Sequence, residues 1–251
     1  MRLDLWHLYP QDMNIYGDRG NVIALVQRAR WRGIEVELHG CDVGDRLEPE
    51  RCDLVFAGGG QDDQQVAVAR DLRGPKGQAL RELAEDGAPM LLVCGTYQLF
   101  GHYFRSGQGE IAGIGLLDLH TVAGPRRMIG DQVVTCQLEE GGTQTLVGFE
   151  NHSGQTFLGA GCRPLGRVRS GGNNGQDGGE GAIYRQVHGT YLHGPVLPKN
   201  PWLADRLLAA ALRRRGVVEP LAPLDDAAEE AAHRRIVERI ARQGRRASGV
   251  V

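Results

Sequence analysis

Short apolar runs alternate with amphipathic segments through the first hundred or so residues of the chain. Val22, Leu25 and Ala29 recur at the helical period after Asp18, which predicts a helix with Asp18 as its N-cap and its end at Gly33. The remaining pattern predicts strands over 3–8, 34–38, 53–57 and 89–93, and further helices from 62 and over 75–86.

Strands that alternate with helices indicate a parallel sheet, because a crossover helix returns the chain before the next strand begins. The run 89–93 is apolar at every position, which is typical of a strand buried on both faces. We therefore expect an α/β fold with a doubly wound sheet and crossover helices.

The second half of the chain has a different pattern, with short strand-like runs at 115–121, 132–138, 145–150 and 182–187 separated by glycine-rich turns. We expect these runs to continue the sheet and to add hairpins. Segment 170–179 predicts a long loop, with a mobile lid as the alternative. Amphipathic helices over 201–215 and 225–242 are expected to close a single domain, with its core over 1–215 and a helical extension over 216–251.

Composition excludes several classes of function. The formal net charge is −2 and basic residues form no long block, which argues against nucleic acid as a partner. The five cysteines form no C-x-x-C pair, so reduced thiols in the cytoplasm are the simplest interpretation. The chain has neither a signal-peptide pattern nor an apolar stretch near ~20 residues, so we expect no transmembrane segment.

Cys94 lies where the apolar run 90–93 gives way to a helical segment that begins at Gly95. A thiol at such a position is exposed at the carboxyl end of a buried strand and faces a helix N-terminus, whose partial positive charge favours the thiolate. This arrangement predicts a nucleophile elbow, although Leu92 and Thr96 stand where that motif often has glycine. A small buried hydrophobic residue is the alternative for a single cysteine.

Two further segments fit a cysteine nucleophile. His193 follows a predicted strand about 100 residues later, and distant Cys and His residues that meet in the fold are expected for this chemistry. Gly58–Gly60 end another strand, where unobstructed main-chain N–H groups can form an oxyanion hole. A tight turn or a phosphate cradle is the alternative, but the phosphate-loop pattern G-x-x-x-x-G-K-[ST] is absent. A metal site at His188 and His193 is the weakest interpretation, and we expect none.

These segments, in this order, resemble the class I glutamine amidotransferases of the CobB/CobQ type. The resemblance extends over nearly the whole chain and narrows to the family of GatD subunits of lipid II isoglutaminyl synthase. It is carried by the motifs NIYGDRGN at 14–21, VCGTYQ at 93–98, GFENH at 148–152 and GTYLHGPVLPKN at 189–200. It implies a flavodoxin-like α/β fold and a glutaminase that converts L-glutamine to glutamate and ammonia.

The resemblance also implies roles for individual residues. Cys94 is the nucleophile, His193 is the base, and Arg127 binds the glutamine α-carboxylate, which a guanidinium can hold in a bidentate fork. The backbone N–H groups of Gly59 and Gly95 are expected to stabilise the oxyanion.

The third member of the triad does not directly follow the histidine in this sequence. Typical triad amidotransferases carry H-P-E, whereas His193 is followed by Gly194-Pro195-Val196, so no acid stands at that spacing. The resemblance implies that an aspartate of the partner protein completes the triad in trans. Glu150 is the internal alternative.

The partner follows from the chemistry and the resemblance together. Making an amide from a carboxylate requires activation, and the chain has no evident ATP site, so we expect no cofactor here and place ATP and Mg²⁺ in a separate protein. The resemblance implies a heterodimer with a MurT-like synthetase of the Mur ligase family, which amidates the D-glutamate of lipid II to D-isoglutamine in peptidoglycan synthesis. The alternatives are a cobyric-acid-type amidotransferase subunit and a non-catalytic scaffold subunit.

Overall fold

The computed structural model describes residues 1–15, 17–138, 141–172, 174–175 and 177–248. The strands are β1 Arg2–Leu8, β2 Glu35–Cys41, β3 Leu54–Ala57, β4 Met90–Val93, β5 Tyr103–Ser106, β6 Gly109–Ala112, β7 Leu119–Gln137, β8 Thr143–Leu158, β9 Gly166–Ser170, β10 Gly179–Glu180, β11 Ala182–Tyr184 and β12 Val187–Thr190. The helices are α1 Arg19–Arg30, α2 Asp62–Leu72, α3 Pro75–Glu85, α4 Gly95–Leu99, α5 Pro201–Arg214 and α6 Ala227–Ser248.

The first sheet has the strand order β11-β12-β4-β3-β1-β2. Every pairing in it is parallel except the one between the edge strand β11 and β12. Its central strands β3 and β4 are buried at every residue, because helices cover both faces of a parallel sheet. The predicted α/β sheet and its crossover helices are confirmed.

The second sheet has the order β10-β9-β7-β5-β6, with β8 also paired to β7. The expectation that the later strands continue the first sheet is therefore wrong for all but β11 and β12. The runs predicted at 132–138 and 145–150 are parts of one long antiparallel hairpin of β7 and β8. Alternation of apolar and polar residues identifies a strand but not its partner, because long-range hydrogen bonds decide which sheet the strand joins.

An irregularity in this hairpin shapes the candidate site. Ala123 pairs with Gly154 and Met128 pairs with His152, so residues 124–127 stand opposite Ser153 alone. Such bulges redirect side chains and are common next to active sites. The segment 124–127 therefore leaves the ladder at the position of Arg127.

The two C-terminal helices form as predicted, and a buried arginine joins them to α1. Arg28 is 3% exposed and bonds to Asp205 at 2.7 Å and to Asp226 at 2.5 Å. His233 on α6 also contacts Thr145 of β8 at 2.8 Å. The division into a core over 1–215 and an extension over 216–251 stays a prediction.

Two remaining expectations concern single segments. Within the glycine-rich segment 170–179, Asn173 and Gln176 lie outside the described residues, so the long loop, with a mobile lid as its alternative, stays a prediction. None of the helices among the described residues combines the length and the apolar character needed to span a membrane.

Candidate active site

Cys94 stands in the predicted place, between β4 and the N-terminus of α4. Its backbone has φ 54° and ψ −105°, a region that a residue with a side chain rarely adopts and that costs about 1–3 kcal/mol. The Cys94 N–H donates to the carbonyl oxygen of Thr190 at 2.8 Å, and Thr96 bonds back to the carbonyl oxygens of Ala57 and Gly58 at 2.9 Å. The strained turn is the geometry of a nucleophile elbow.

His193 follows β12 and is pinned by main-chain bonds to β8. Its N–H donates to the Phe149 carbonyl oxygen at 2.9 Å, and its carbonyl oxygen accepts the Phe149 N–H at 3.1 Å. The imidazole is 1% exposed and lies beside the nucleophile, since a Cβ added to Gly59 would be 2.9 Å from His193 Cε1 and 3.2 Å from Cys94 Cβ. The structure thus brings together two residues that the sequence separates by about 100 positions.

A carboxylate from the same chain orients this histidine. His193 Nδ1 lies 3.2 Å from Asp18 Oδ1, and Asp18 is fully buried. Burial lowers the pKa of His193, but hydrogen bonds and charge attraction to Asp18 and Cys94 outweigh it and raise the pKa to about 10. The imidazole is therefore protonated at neutral pH.

The sequence pattern predicts Asp18 only as the N-cap of the first helix, so its contact with His193 is a role that the pattern does not reveal. Asp18 occupies the N-cap position of α1 but makes no side-chain cap bond. Its Oδ1 faces His193 and its Oδ2 accepts the Gly59 N–H at 2.8 Å. The signal was available in part, because Asp18 follows the loop after β1, at the same sheet edge as Cys94.

The alternative acid, Glu150, points elsewhere. Its Oε1 accepts the Gly172 N–H at 2.6 Å, and its Oε2 lies 3.4 Å from Gln132 Nε2 and 3.6 Å from His152 Nε2. The internal carboxylate at His193 is therefore Asp18 and not Glu150. The expectation of an acid supplied in trans by the partner stays a prediction.

The oxyanion-hole prediction requires one correction. Gly59 cannot supply the expected donor in this arrangement, because its N–H is engaged by Asp18. Gly60 lines the cleft, and a Cβ added to Gly95 would be 3.2 Å from the Gly60 nitrogen. Within the described part of the chain, no main-chain or side-chain acceptor is bonded to the N–H of Gly60 or Gly95. These two N–H groups can both serve an oxyanion.

A cleft of about 420 Å³ opens in front of Cys94. Arg127 reaches it from the bulge of β7, and its Nε donates to Asn151 Oδ1 at 2.7 Å. A cysteine nucleophile and a guanidinium therefore face one cavity. The cavity is lined by Ile15, Gly60, Gln61, Asp63, Gln65, Cys94, Gln98, Phe104, Gln108, Arg127, Asn151, His152, Ser153 and Gly154.

His152 lines the cleft, although no role for it follows from the sequence pattern. Its ring stacks on Tyr191 with centroids 3.7 Å apart, and its Nδ1 lies 2.9 Å from the Gly154 carbonyl oxygen. Gln98 also lines the cleft, and its Nε2 donates to Tyr191 Oη at 3.1 Å. The motif at 148–152 therefore supplies one wall of the site.

One cluster of carboxylate and imidazole groups lies away from this cleft. Asp4, Glu37 and His39 bring ligand atoms within 4.8 Å of one another. Asp4 and Glu37 lie in the first half of β1 and of its neighbour β2, and arginines pair with them, Arg215 with Asp4 at 3.3 Å and Arg2 with Glu37 at 2.8 Å. These ion pairs account for the cluster without a metal ion.

The chain is similar in sequence to glutamine amidotransferase subunits. The profile of the CobB/CobQ-like glutamine amidotransferase domain matches residues 4–201. The lipid II isoglutaminyl synthase (glutamine-hydrolyzing) subunit GatD of Staphylococcus aureus is 39% identical over 243 residues, which cover 96% of this chain and 97% of that protein. The subunit of the same name from Streptococcus pneumoniae is 38% identical over 217 residues, covering 85% of this chain and 82% of that protein.

A solved structure gives the same fold at low identity. A chain in the structure of PurLQS from Thermotoga maritima superposes with a TM-score of 0.57 at 13% identity. The match covers 85% of this chain and 99% of that one. The likeness supports the class I amidotransferase-like α/β fold.

Proposed function

We propose a function on the premise that this chain belongs to the CobB/CobQ-like glutamine amidotransferase family. The chain is the glutaminase subunit, GatD, of a lipid II isoglutaminyl synthase. The observation that carries the chemistry is the buried His193 held between Cys94 and Asp18, next to a cleft lined by Cys94 and Arg127.

The first half of the reaction forms a thioester. The Cys94 thiolate attacks the side-chain amide carbon of glutamine, and the N–H groups of Gly60 and Gly95 stabilise the oxyanion. His193 then gives its proton to the nitrogen as the C–N bond breaks, so that ammonia leaves and a γ-glutamyl thioester remains on Cys94.

The second half hydrolyses this thioester. His193, now neutral, takes a proton from water, and the hydroxide attacks the thioester carbon. The C–S bond breaks, glutamate leaves, and the thiolate and the imidazolium are restored. Asp18 stabilises the imidazolium in both halves, because its carboxylate accepts from Nδ1.

Arg127 selects the substrate at the far end of the cleft. Its Nε donates to Asn151 Oδ1 at 2.7 Å, and both residues line the cleft. A guanidinium oriented in this way suits the α-carboxylate of glutamine.

The ammonia requires a second protein. A carboxylate must be activated before ammonia can form an amide, and this chain carries no phosphate-loop pattern. We assign ATP and Mg²⁺ to a MurT-like synthetase that forms a heterodimer with this chain in the cytoplasm and amidates the D-glutamate of lipid II. This chain itself needs no cofactor for the glutaminase steps.

Two alternatives give different outcomes. A cobyric-acid-type amidotransferase would have the same glutaminase activity and a different acceptor of the ammonia. The match of two GatD subunits to 96% and 85% of this chain favours the lipid II acceptor. A scaffold subunit would not need the strained backbone of Cys94 or the buried carboxylate at His193.

The test measures glutamate release from L-glutamine by the wild type, Cys94→Ala and His193→Ala, each with and without the synthetase. We expect both variants to lose activity and the wild type with its partner to amidate lipid II. If the wild type releases no glutamate, either alone or with the synthetase, the result would favour a non-catalytic scaffold subunit. Glutamate release with amidation of a corrin precursor in place of lipid II would change the acceptor.

A further inference from the structure

Glu180 is a buried carboxyl group outside the catalytic residues. It ends β10 in the second sheet, is 2% exposed, and reaches the segment that connects β12 to His193. Its Oε1 accepts two hydrogen bonds, from the Tyr191 N–H at 2.7 Å and from Thr190 Oγ1 at 2.9 Å. One oxygen atom therefore holds two consecutive residues of the segment.

This segment touches both reacting side chains. The Thr190 carbonyl oxygen accepts the Cys94 N–H at 2.8 Å, so Thr190 supports the strained turn of the nucleophile. Thr190 Oγ1 also accepts the Leu192 N–H at 3.0 Å, one residue before His193. A change at Glu180 is thus transmitted to the nucleophile and to the base through a single residue.

The surroundings of Glu180 contain no cation that pairs with it among the described contacts. The titratable groups that face it are Tyr97 of α4, Cys136 of β7, Glu150 of β8 and Tyr191. Burial raises the pKa of Glu180 to about 7, against the opposing effect of the hydrogen bonds from Tyr191 and Thr190. Its Oε2 has no hydrogen-bond partner in the described part of the chain.

We infer that Glu180 is a positioning residue whose carboxyl group holds Thr190 and Tyr191 so that Cys94 and His193 stay aligned. This inference rests on the proposed glutaminase function of that pair. Ionisation of Glu180 places a charge in an apolar environment and favours states in which the carboxylate reaches water. The active site is therefore aligned at mildly acidic pH and loosens as the pH rises through about 7.

The experiment compares the wild type with Glu180→Gln and Glu180→Ala, in the complex with the synthetase, from pH 5.5 to 9. Glu180→Gln keeps an oxygen acceptor and cannot ionise, whereas Glu180→Ala removes the acceptor. Glu219→Gln, at an exposed carboxylate, is the matched control. Glutaminase kcat and KM are measured together with the rate at which iodoacetamide labels Cys94, followed by mass spectrometry of its peptide.

We expect the kcat of the wild type to fall on the alkaline side with an apparent pKa near 7, and this decline to be absent in Glu180→Gln. Glu180→Ala should lose about tenfold to a hundredfold in kcat, because small displacements of reacting groups are costly, while KM changes less than about threefold. Glu180→Gln should recover most of that loss at pH 6. The control should follow the wild type.

Three results would overturn the inference. The first is a kcat of Glu180→Gln that declines at alkaline pH as in the wild type. The second is a folded Glu180→Gln variant whose kcat at pH 6 is no higher than that of Glu180→Ala. The third is a kcat of Glu180→Ala equal to that of the wild type. If Glu180→Ala does not fold, the pH profile of kcat in Glu180→Gln still tests whether Glu180 causes the alkaline decline. If the wild type releases no glutamate, the proposed function fails, whereas a Cys94 labelling rate that shifts with pH in the wild type and not in Glu180→Gln still supports the positioning role.

Discussion

Asp18 Oδ1 lies 3.2 Å from His193 Nδ1, although the two residues are 175 positions apart in the chain. The same carboxylate accepts the Gly59 N–H, so it connects the loop after β1, the glycine turn after β3 and the catalytic histidine. A nucleophile, a base and an acid therefore meet within one polypeptide. This arrangement differs from the expectation that the partner protein completes the triad.

Asp18→Asn tests whether this internal acid is the one that functions. An amide in its place no longer stabilises the imidazolium, so we expect glutaminase kcat to fall by about a hundredfold or more, both without and with the synthetase. Asp45→Asn, at an exposed aspartate, is the control and should behave as the wild type. Wild-type kcat for Asp18→Asn in the complex would instead indicate an acid supplied by the partner.

Arg127→Lys and Arg127→Ala test the assignment of the carboxylate site. Loss of the bidentate guanidinium should raise KM for glutamine by about tenfold to a hundredfold, with kcat changed much less. Arg126→Ala removes a neighbouring exposed arginine in the same bulge and should leave KM within about twofold of the wild type. Equal effects of the two alanine variants would contradict the assignment.

The raised pKa of His193 predicts a pH dependence of stability. Its pKa in the folded protein is about 10 against an ordinary value of 6.5, so the folded state binds the proton more tightly than the unfolded state. This contribution, about a few kcal/mol, is fully present below pH 6.5 and is lost as the pH rises through 10.

Urea unfolding of the wild type and His193→Gln between pH 6 and 10.5 measures that contribution. The free energy of unfolding should decline more steeply with pH in the wild type than in the variant. Parallel declines would mean that His193 is not held protonated by Asp18 and Cys94.

Arg28→Ala tests the attachment of the C-terminal helices. The substitution removes the buried partner of Asp226 and one of the two guanidinium partners of Asp205, which keeps Arg32 at 2.6 Å, so we expect the free energy of unfolding to drop by up to about 3 kcal/mol. Arg30→Ala, two residues away on the exposed face of α1, should change it by less than about 1 kcal/mol. Both variants are compared by urea unfolding at neutral pH, and a similar small effect for the two would show that the buried network contributes little.

The local sequence pattern was sufficient to predict most helices and strands and to single out Cys94 and His193. The helix around Val22 and Leu25 and the apolar strand before Cys94 follow from spacing within a few residues, because helix and strand periods are local properties. Cys94 and His193 stand at the ends of such strands, and the carboxyl ends of parallel strands share one edge of the sheet. The sequence predicted their proximity from the chemistry of a cysteine nucleophile, whereas the strand order that places them side by side came from the structure.

The sequence by itself determined the α/β class, the edge of the sheet that carries the chemistry, and the family. Only the tertiary structure decided that Asp18 orients His193 in preference to capping α1, that the Gly59 N–H is occupied, and that Glu180 holds Thr190. The physical reason is that a polar side chain can satisfy several alternative partners. Which of them it meets depends on contacts between residues far apart in the chain, and no local period encodes those contacts.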